Sequence, residues 1–242
     1  MKAAIVTGVS RGLGESLAAT LLARGFAVTG VGRASSPRLG GAQYRFARCD
    51  LSEVAAIEPT LAPAFGEIAA MRPRSICLIN NAAVAGPVGK LGTFDAASVA
   101  EALAVNLVAP LTLANLFCRA FAGGSGECLV INISSGAAER PLPGSGPYSI
   151  AKAGLEMLTR TIVADQSAPA FRAISVRPGI IDTGMQAFMR AQPRETLASV
   201  DMFREFHASG QLVLSDVVAA KIVDRLVLGE VENGRAYSYK EL

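Results

Sequence analysis

Ala3-Ala4-Ile5-Val6-Thr7-Gly8-Val9-Ser10-Arg11-Gly12-Leu13-Gly14 changes character halfway along. Its first four residues are apolar and read as a short buried strand. Glycines follow at positions 8, 12 and 14, and a helix-compatible run extends from Glu15 to Arg24. Gly25 closes that run, and Phe26 to Val31 reads as a second strand. Strand, glycine-rich turn, helix and strand in this order form a dinucleotide-binding unit. Gly8 serves the tight turn, Gly12 lets a pyrophosphate approach the backbone, and Gly14 lets the helix pack on the strand. The first N–H groups of the helix have no partner within it and are offered to the phosphates.

The same alternation continues along the chain. Gln43–Cys49, Ser75–Ile79, Cys128–Ile133, Phe171–Val176 and Arg235–Tyr239 read as further strands. Between them lie helical stretches: Ser52 to about Ala70, Asp95 to about Ala122, Tyr148 to about Asp165 and Ser215 to Leu228. Thr93 or Asp95 caps the second of these, and Pro110 predicts a bend in it. There are no repeats or linkers. The expectation is one α/β domain over residues 1–242, a Rossmann fold. Its doubly wound parallel sheet would have about seven strands, with helices on both faces. Ligands of such sheets sit at the carboxyl ends of the strands. Gly8–Gly14, Arg33, Asn81, Ser135 and Thr183 each follow a strand, so one crevice would gather them.

Charge at the end of the second strand selects the dinucleotide. An NAD site places an acid there for the ribose 2′-hydroxyl. Here Gly32-Arg33 stands without a neighbouring carboxylate, and Arg11 adds a second cation within the glycine turn. Two guanidinium groups suit a 2′-phosphate, which points to NADP(H). Asp50-Leu51, at the end of the third strand, either meets the adenine amino group or caps the following helix. Asn80-Asn81 after the fourth strand can bond backbone groups and order a turn beside the cofactor.

Tyr148-Ser-Ile-Ala-Lys152 follows a loop rich in proline and glycine, with Ser135 thirteen residues before the tyrosine. Residues four apart share a helix face, so the phenol and the ammonium lie side by side. A cation beside a phenol favours the phenolate and lowers its pKa, which suits proton transfer. A chance tyrosine–lysine pair on one helix face fits the spacing equally well until its surroundings are considered.

Composition removes several classes of function. The net charge is +3, from 23 basic and 20 acidic residues with no basic block, which gives no case for nucleic acid or a membrane surface. No apolar run is expected to reach the ~20 residues of a bilayer span. Met1-Lys2 runs straight into a strand, without a signal peptide. Cys49, Cys77, Cys118 and Cys128 lack metal or redox spacing, and His207 is the sole histidine. The expectation is a cytoplasmic protein with no metal site.

Together these pieces resemble the short-chain dehydrogenase/reductase family over essentially the whole chain. The likeness rests on Thr7-Gly-x-x-x-Gly12-x-Gly14, Asn80-Asn-Ala82, Asn106, Ser135, Tyr148-x-x-x-Lys152 and Pro178-Gly-x-x-x-Thr183, in the family's order and spacing. Ala83 departs from it, because the family usually has glycine there. Asn132–Ala138 and Arg177–Gln186 are similar to the sepiapterin reductase and bacterial benzil reductase branch. The ending Glu232–Glu241 is similar to the benzil reductases, with Ser238 where sepiapterin reductases carry a pterin-anchoring aspartate.

The resemblance implies hydride transfer from NADPH to a ketone. Tyr148 would protonate the oxygen, Lys152 would lower the tyrosine pKa and bond the nicotinamide ribose, and Ser135 would hold the carbonyl. Asn106 would position a water linking Lys152 to solvent. Cofactor contacts are expected at Gly8, Ser10, Arg11, Gly12, Leu13 and Gly14 in the turn, and at Arg33, Asp50, Leu51, Asn81 and Ala82 on strand ends. Tyr148, Lys152, Pro178, Gly179, Ile181 and Thr183 would complete the nicotinamide side. Residues 184–212 would form a substrate lid, in which Met185, Phe188 and Met189, together with Ser135 and Tyr148, meet an apolar or aromatic carbonyl compound. Pro141, Leu142 and Pro143 would form the opposite wall. The runner-up activities are reduction of a ketoacyl thioester or of sepiapterin. A non-catalytic NADP(H) sensor is the reading of another class, and it is disfavoured because Asn106, Ser135, Tyr148 and Lys152 are all present. Family members usually pair through their two long helices, which implies a homodimer or homotetramer.

Overall fold

Two-residue periodicity lets the central strands bury both faces. In the computed structural model, which describes residues 1–242, β1 (Lys2–Thr7) sends Ala3 and Ile5 to one face and Ala4 and Val6 to the other. β4 (Ser75–Asn80) divides Ile76 and Leu78 from Cys77 and Ile79 in the same way. One core forms where these side chains meet α2 (Val54–Ala70), α4 (Ala109–Phe121) and α5 (Gly146–Asp165). The second forms against α1 (Gly12–Ala23) and α8 (Ser215–Ile222).

The remaining strands are β2 (Phe26–Gly32), β3 (Tyr44–Arg48), β5 (Glu127–Ile133), β6 (Phe171–Arg177) and β9 (Ala236–Ser238). They form a seven-stranded sheet in the order β3-β2-β1-β4-β5-β6-β9, parallel throughout. This is the expected doubly wound α/β Rossmann fold. The strand order reverses between β1 and β4, so a crevice opens above their carboxyl ends.

Several boundaries differ from expectation. α5 begins at Gly146 rather than Tyr148, with Pro147 in its first turn, where a missing N–H costs nothing. Asp95, not Thr93, caps α3 (Ala96–Leu103), accepting the Ser98 N–H at 2.8 Å. The irregularity expected at Pro110 lies just before it, as a π turn over Ala104–Val108. The segment after β6 is more regular than it reads, with β7 (Ile181–Asp182) paired to β8 (Val213–Leu214) and helices α6 (Gly184–Arg190) and α7 (Val200–Ala208) between them. α8 gives way to a second π turn, Val223–Val227. The expectation about apolar length also needs correction. Ala96–Phe121 is one helical stretch of 26 residues, long and apolar enough by length and composition to cross a membrane. Here Ala102, Leu113, Phe117 and others turn one side of it into the protein.

Candidate active site

The glycine turn lies at the switch point. Gly8 turns left-handed, with φ 74°, and donates its N–H to the Val31 carbonyl at 2.8 Å, tying β1 to β2. A Cβ on Gly14 would overlap the Gly8 carbonyl oxygen and the Asn81 amide, so only glycine lets α1 start this close to the strand ends. The start of α1 carries no side-chain cap, which leaves its N–H groups for an anion. Across the crevice, a Cβ on Gly12 would stand 3.5 Å from Thr183, and one on Gly184 would stand 3.9 Å from Arg11. Arg11 thus reaches over the turn to the start of α6.

Several of the residues expected at the cofactor also make bonds within the protein. Asn81 Nδ2 donates to the Thr7 carbonyl at 2.9 Å, and the N–H groups of Asn81 and Ala82 both donate to Thr7 Oγ1 at 2.9 Å. They lace β4 to β1, and the buried Thr7 hydroxyl at the hub was not among the expected site residues, although it sits inside the opening motif. Leu13 and Leu51 are buried in opposite cores, leaving only their backbones for a ligand. Asp50 accepts from Ser52 N–H and Oγ on one oxygen, at 3.0 and 2.8 Å. It forms a local turn and caps no helix; α2 starts later, at Val54. Those two bonds, with Arg33 nearby, hold its carboxyl below the ordinary range despite some burial. Ser10, Arg11 and Arg33 are exposed, and neither arginine is ion-paired.

At the other end of the crevice, Ser135 follows β5 and accepts the Ala137 N–H at 3.2 Å. Tyr148 and Lys152 project from α5, with Lys152 Nζ 5.5 Å from the centre of the phenol ring. The ammonium does not bond the phenol; it donates to the Ile133 carbonyl at 2.7 Å, at the end of β5. Burial lowers the Lys152 pKa to about 8. Burial also raises the Tyr148 pKa, against a lowering contribution from the Ser135 hydroxyl. Burial is the larger of these contributions, and in this arrangement the cation is held on the Ile133 carbonyl.

Asn106 is fully buried in the π turn. Its Oδ1 accepts the Val84 N–H and its Nδ2 donates to the Val84 carbonyl, both at 2.8 Å. The amide fixes the loop after β4 through one donor and one acceptor, which leaves a second N–H and a second lone pair of the same amide unused. Beyond β6, Gly179 adopts φ 79° with Tyr239 packed against it, Ile181 pairs with Val213, and Thr183 caps α6 by accepting the Gln186 N–H at 3.4 Å. Of the expected substrate residues, Met189 instead packs inward with Ala85, Leu197 and Val200, while Met185 is half-buried and Phe188 is 42% exposed. Ser199 Oγ donates to the Pro143 carbonyl at 3.1 Å, so the expected wall and lid already touch. Ser238 directs both its N–H and its hydroxyl to Glu241 at 2.6 Å. His207 is exposed, and no cluster of metal-ligating side chains forms.

Fold and crevice define a Rossmann-type dinucleotide-binding protein. The uncapped start of α1, the cradle that a Cβ on Gly14 would fill and the unpaired Arg11 and Arg33 all fit such a ligand. The profile of the family described as short chain dehydrogenase matches residues 2–194, and the chain belongs to that family. It is 34% identical over 244 residues to the benzil reductase ((S)-benzoin forming) of Bacillus subtilis (strain 168), covering 100% of this chain and 99% of that one. Sepiapterin reductase of Rattus norvegicus is 29% identical, covering 98% of this chain and 96% of the relative. A crystal structure of a short chain dehydrogenase from Burkholderia cenocepacia J2315 in complex with NADP superposes with a TM-score of 0.74 at 26% identity, over 98% of this chain and 95% of that one. The protein is an oxidoreductase of the carbonyl–alcohol couple, and its cofactor is a nicotinamide dinucleotide.

Proposed function

We propose that the protein is an NADPH-dependent carbonyl reductase acting on an apolar or aromatic ketone or diketone. The observation that carries this reading is the meeting of Ser135, Tyr148 and Lys152 at one end of a crevice whose other end presents a phosphate-binding turn and unpaired arginines. When bound, NADPH supplies the hydride. Ser135 Oγ donates to the substrate oxygen where charge develops. The Tyr148 phenol gives that oxygen its proton. Lys152 bonds the nicotinamide ribose and favours the phenolate left behind. Asn106, whose amide braces the Val84 loop, positions the water that links Lys152 to solvent. Arg11 and Arg33 favour the 2′-phosphate. The Ile181 backbone and Thr183 receive the carboxamide.

Residues 1–242 act as one nucleotide-binding domain with a substrate lid at 184–212. Met189 pins the lid to the body, and Met185 and Phe188 offer apolar contact. Exposed Val108, Leu111, Ile150 and Met157 on the two long helices support a homodimer or homotetramer. Cofactor oxidation screened over benzil, sepiapterin and acetoacetyl thioesters, with NADPH and NADH, tests the reading. Benzil with NADPH is expected to turn over fastest; thioester activity without diketone activity, or a preference for NADH, would reverse the assignment.

A further inference from the structure

Three parts of this crevice belong to different elements: Ser135 follows β5, Tyr148 and Lys152 ride on α5, and Pro178–Thr183 follow β6. Their mutual placement is the geometry that hydride and proton transfer require. One carboxylate touches all three elements. Glu156 lies one turn beyond Lys152 on α5, and its side chain is 11% exposed. Its Oε1 accepts from Ser134 Oγ, the residue next to Ser135, at 2.8 Å. Arg177, the residue before Pro178, grips the same carboxylate through both Nε and Nη2, each at 2.8 Å. The free Nη1 of Arg177 reaches Glu139, in the loop after Ser135, at 3.1 Å.

The two contacts differ in weight. Glu139 is 60% exposed, so its ion pair is well screened. The Glu156–Arg177 pair is bidentate and mostly enclosed, the geometry in which such a pair fixes orientation as well as charge. Burial pushes the Glu156 carboxyl up, but the bonds from Arg177 and Ser134 hold it below the ordinary range, so it remains ionised at neutral pH. Removing it would leave the half-buried guanidinium with only the screened Glu139, and the buried Ser134 hydroxyl with only the Lys152 carbonyl at 3.4 Å.

We infer that Glu156 is a positioning residue: with Arg177 it clamps the Ser135 strand end, the Tyr148–Lys152 helix and the Pro178–Thr183 loop in one register. It touches no substrate. The inference rests on the proposed carbonyl reduction for its kinetic consequence, but the clamp itself is a structural statement. Misplacement of reacting groups by about 1 Å can cost on the order of 100-fold in rate. Glu156→Ala is therefore expected to lower kcat roughly 10- to 100-fold, with KM for both substrates within about threefold of wild type. Glu156→Gln keeps an acceptor for Arg177 and is expected to recover part of that loss. Arg177→Met should resemble Glu156→Ala, and the double variant should be no worse than the poorer single, because both cut one joint.

The test pairs steady-state kinetics on full-length wild type, Glu156→Gln, Glu156→Ala and Arg177→Met with amide hydrogen exchange. In Glu156→Ala, exchange is expected to quicken in residues 134–139 and 177–183 together. Unchanged protection in either segment overturns the clamp. Quickened exchange in both with wild-type kcat overturns the positioning role. Should Glu156→Ala fail to fold, Glu156→Gln and Arg177→Met carry the same two readouts. Absence of wild-type turnover with every carbonyl compound would defeat the proposed function, and the exchange experiment would still decide the clamp.

Discussion

Burial acts on Tyr148 and Lys152 in opposite senses, because it disfavours the charged form of each. The phenol is raised and stays protonated at neutral pH, the form that a reductase needs. Reduction should therefore persist through neutral pH and fall as the phenol ionises, while alcohol oxidation should rise over the same range; pH–rate profiles in both directions check this. Lys152 gives a separate signature in stability. Its folded pKa of about 8 lies below the ordinary 10.5, so the unfolded chain binds more protons between those values. Stability then rises with pH across that window, and the burial cost is fully present below it. Relative to wild type, Lys152→Met should flatten the rise in Tm between about pH 8 and pH 10. Tyr148→Phe should keep NADPH binding, followed by cofactor fluorescence, and lose at least about 100-fold in turnover. Wild-type-like turnover in that variant would remove the phenol from the chemistry. The tyrosine–lysine spacing was legible in the sequence; the diversion of the ammonium to Ile133 was not, because its partner lies on another element, 19 residues away.

Among the elements, the glycine turn was the most readable, since its signals are local and its three glycines have separate steric reasons. Gly14→Ala tests the tightest of them. The added methyl would drive into the Gly8 carbonyl, and overpacking of this kind costs about 1–3 kcal/mol. A lowered Tm together with weaker NADPH binding is expected, and an unchanged affinity would show that the turn does not shape the site. The long helix was readable as a helix but its irregularity was misplaced. Pro110 cannot donate to the Asn106 carbonyl four residues back, and the chain answers with a π turn just ahead of it. The Asn106 amide then locks that turn to Val84, so the asparagine serves the loop after β4. Met189 shows what local spacing leaves out: an amphipathic lid helix needs an inner side, and Met189 supplies it.

At the scale of the molecule, the parallel sheet brings residues from six chain segments to one edge, and the reversal between β1 and β4 opens the crevice there. Helices cover both faces, yet Leu111 and Ile150 stand 50% and 60% exposed on the two long helices. If these helices meet a second copy, Leu111→Glu combined with Ile150→Glu should shift the protein toward monomer in light scattering. A wild type that is already monomeric, or an unaltered oligomer in the variant, would remove that surface from the assembly.

Strand and helix periods, the phosphate-binding turn, the arginine without an acid at the end of β2 and the tyrosine–lysine pair are each written in a few neighbouring residues. The sequence by itself therefore determined the fold class and the chemistry the crevice supports. Partnerships are another matter. Asn81 bonds Thr7 across 74 residues, Asn106 bonds Val84 across 22, and Glu156 gathers Ser134 and Arg177 from 22 and 21 residues away. Which polar side chains face a ligand and which are taken up in holding the crevice open was decided only in the tertiary structure. A buried donor or acceptor must find a partner wherever packing brings one, and local spacing carries no record of that choice.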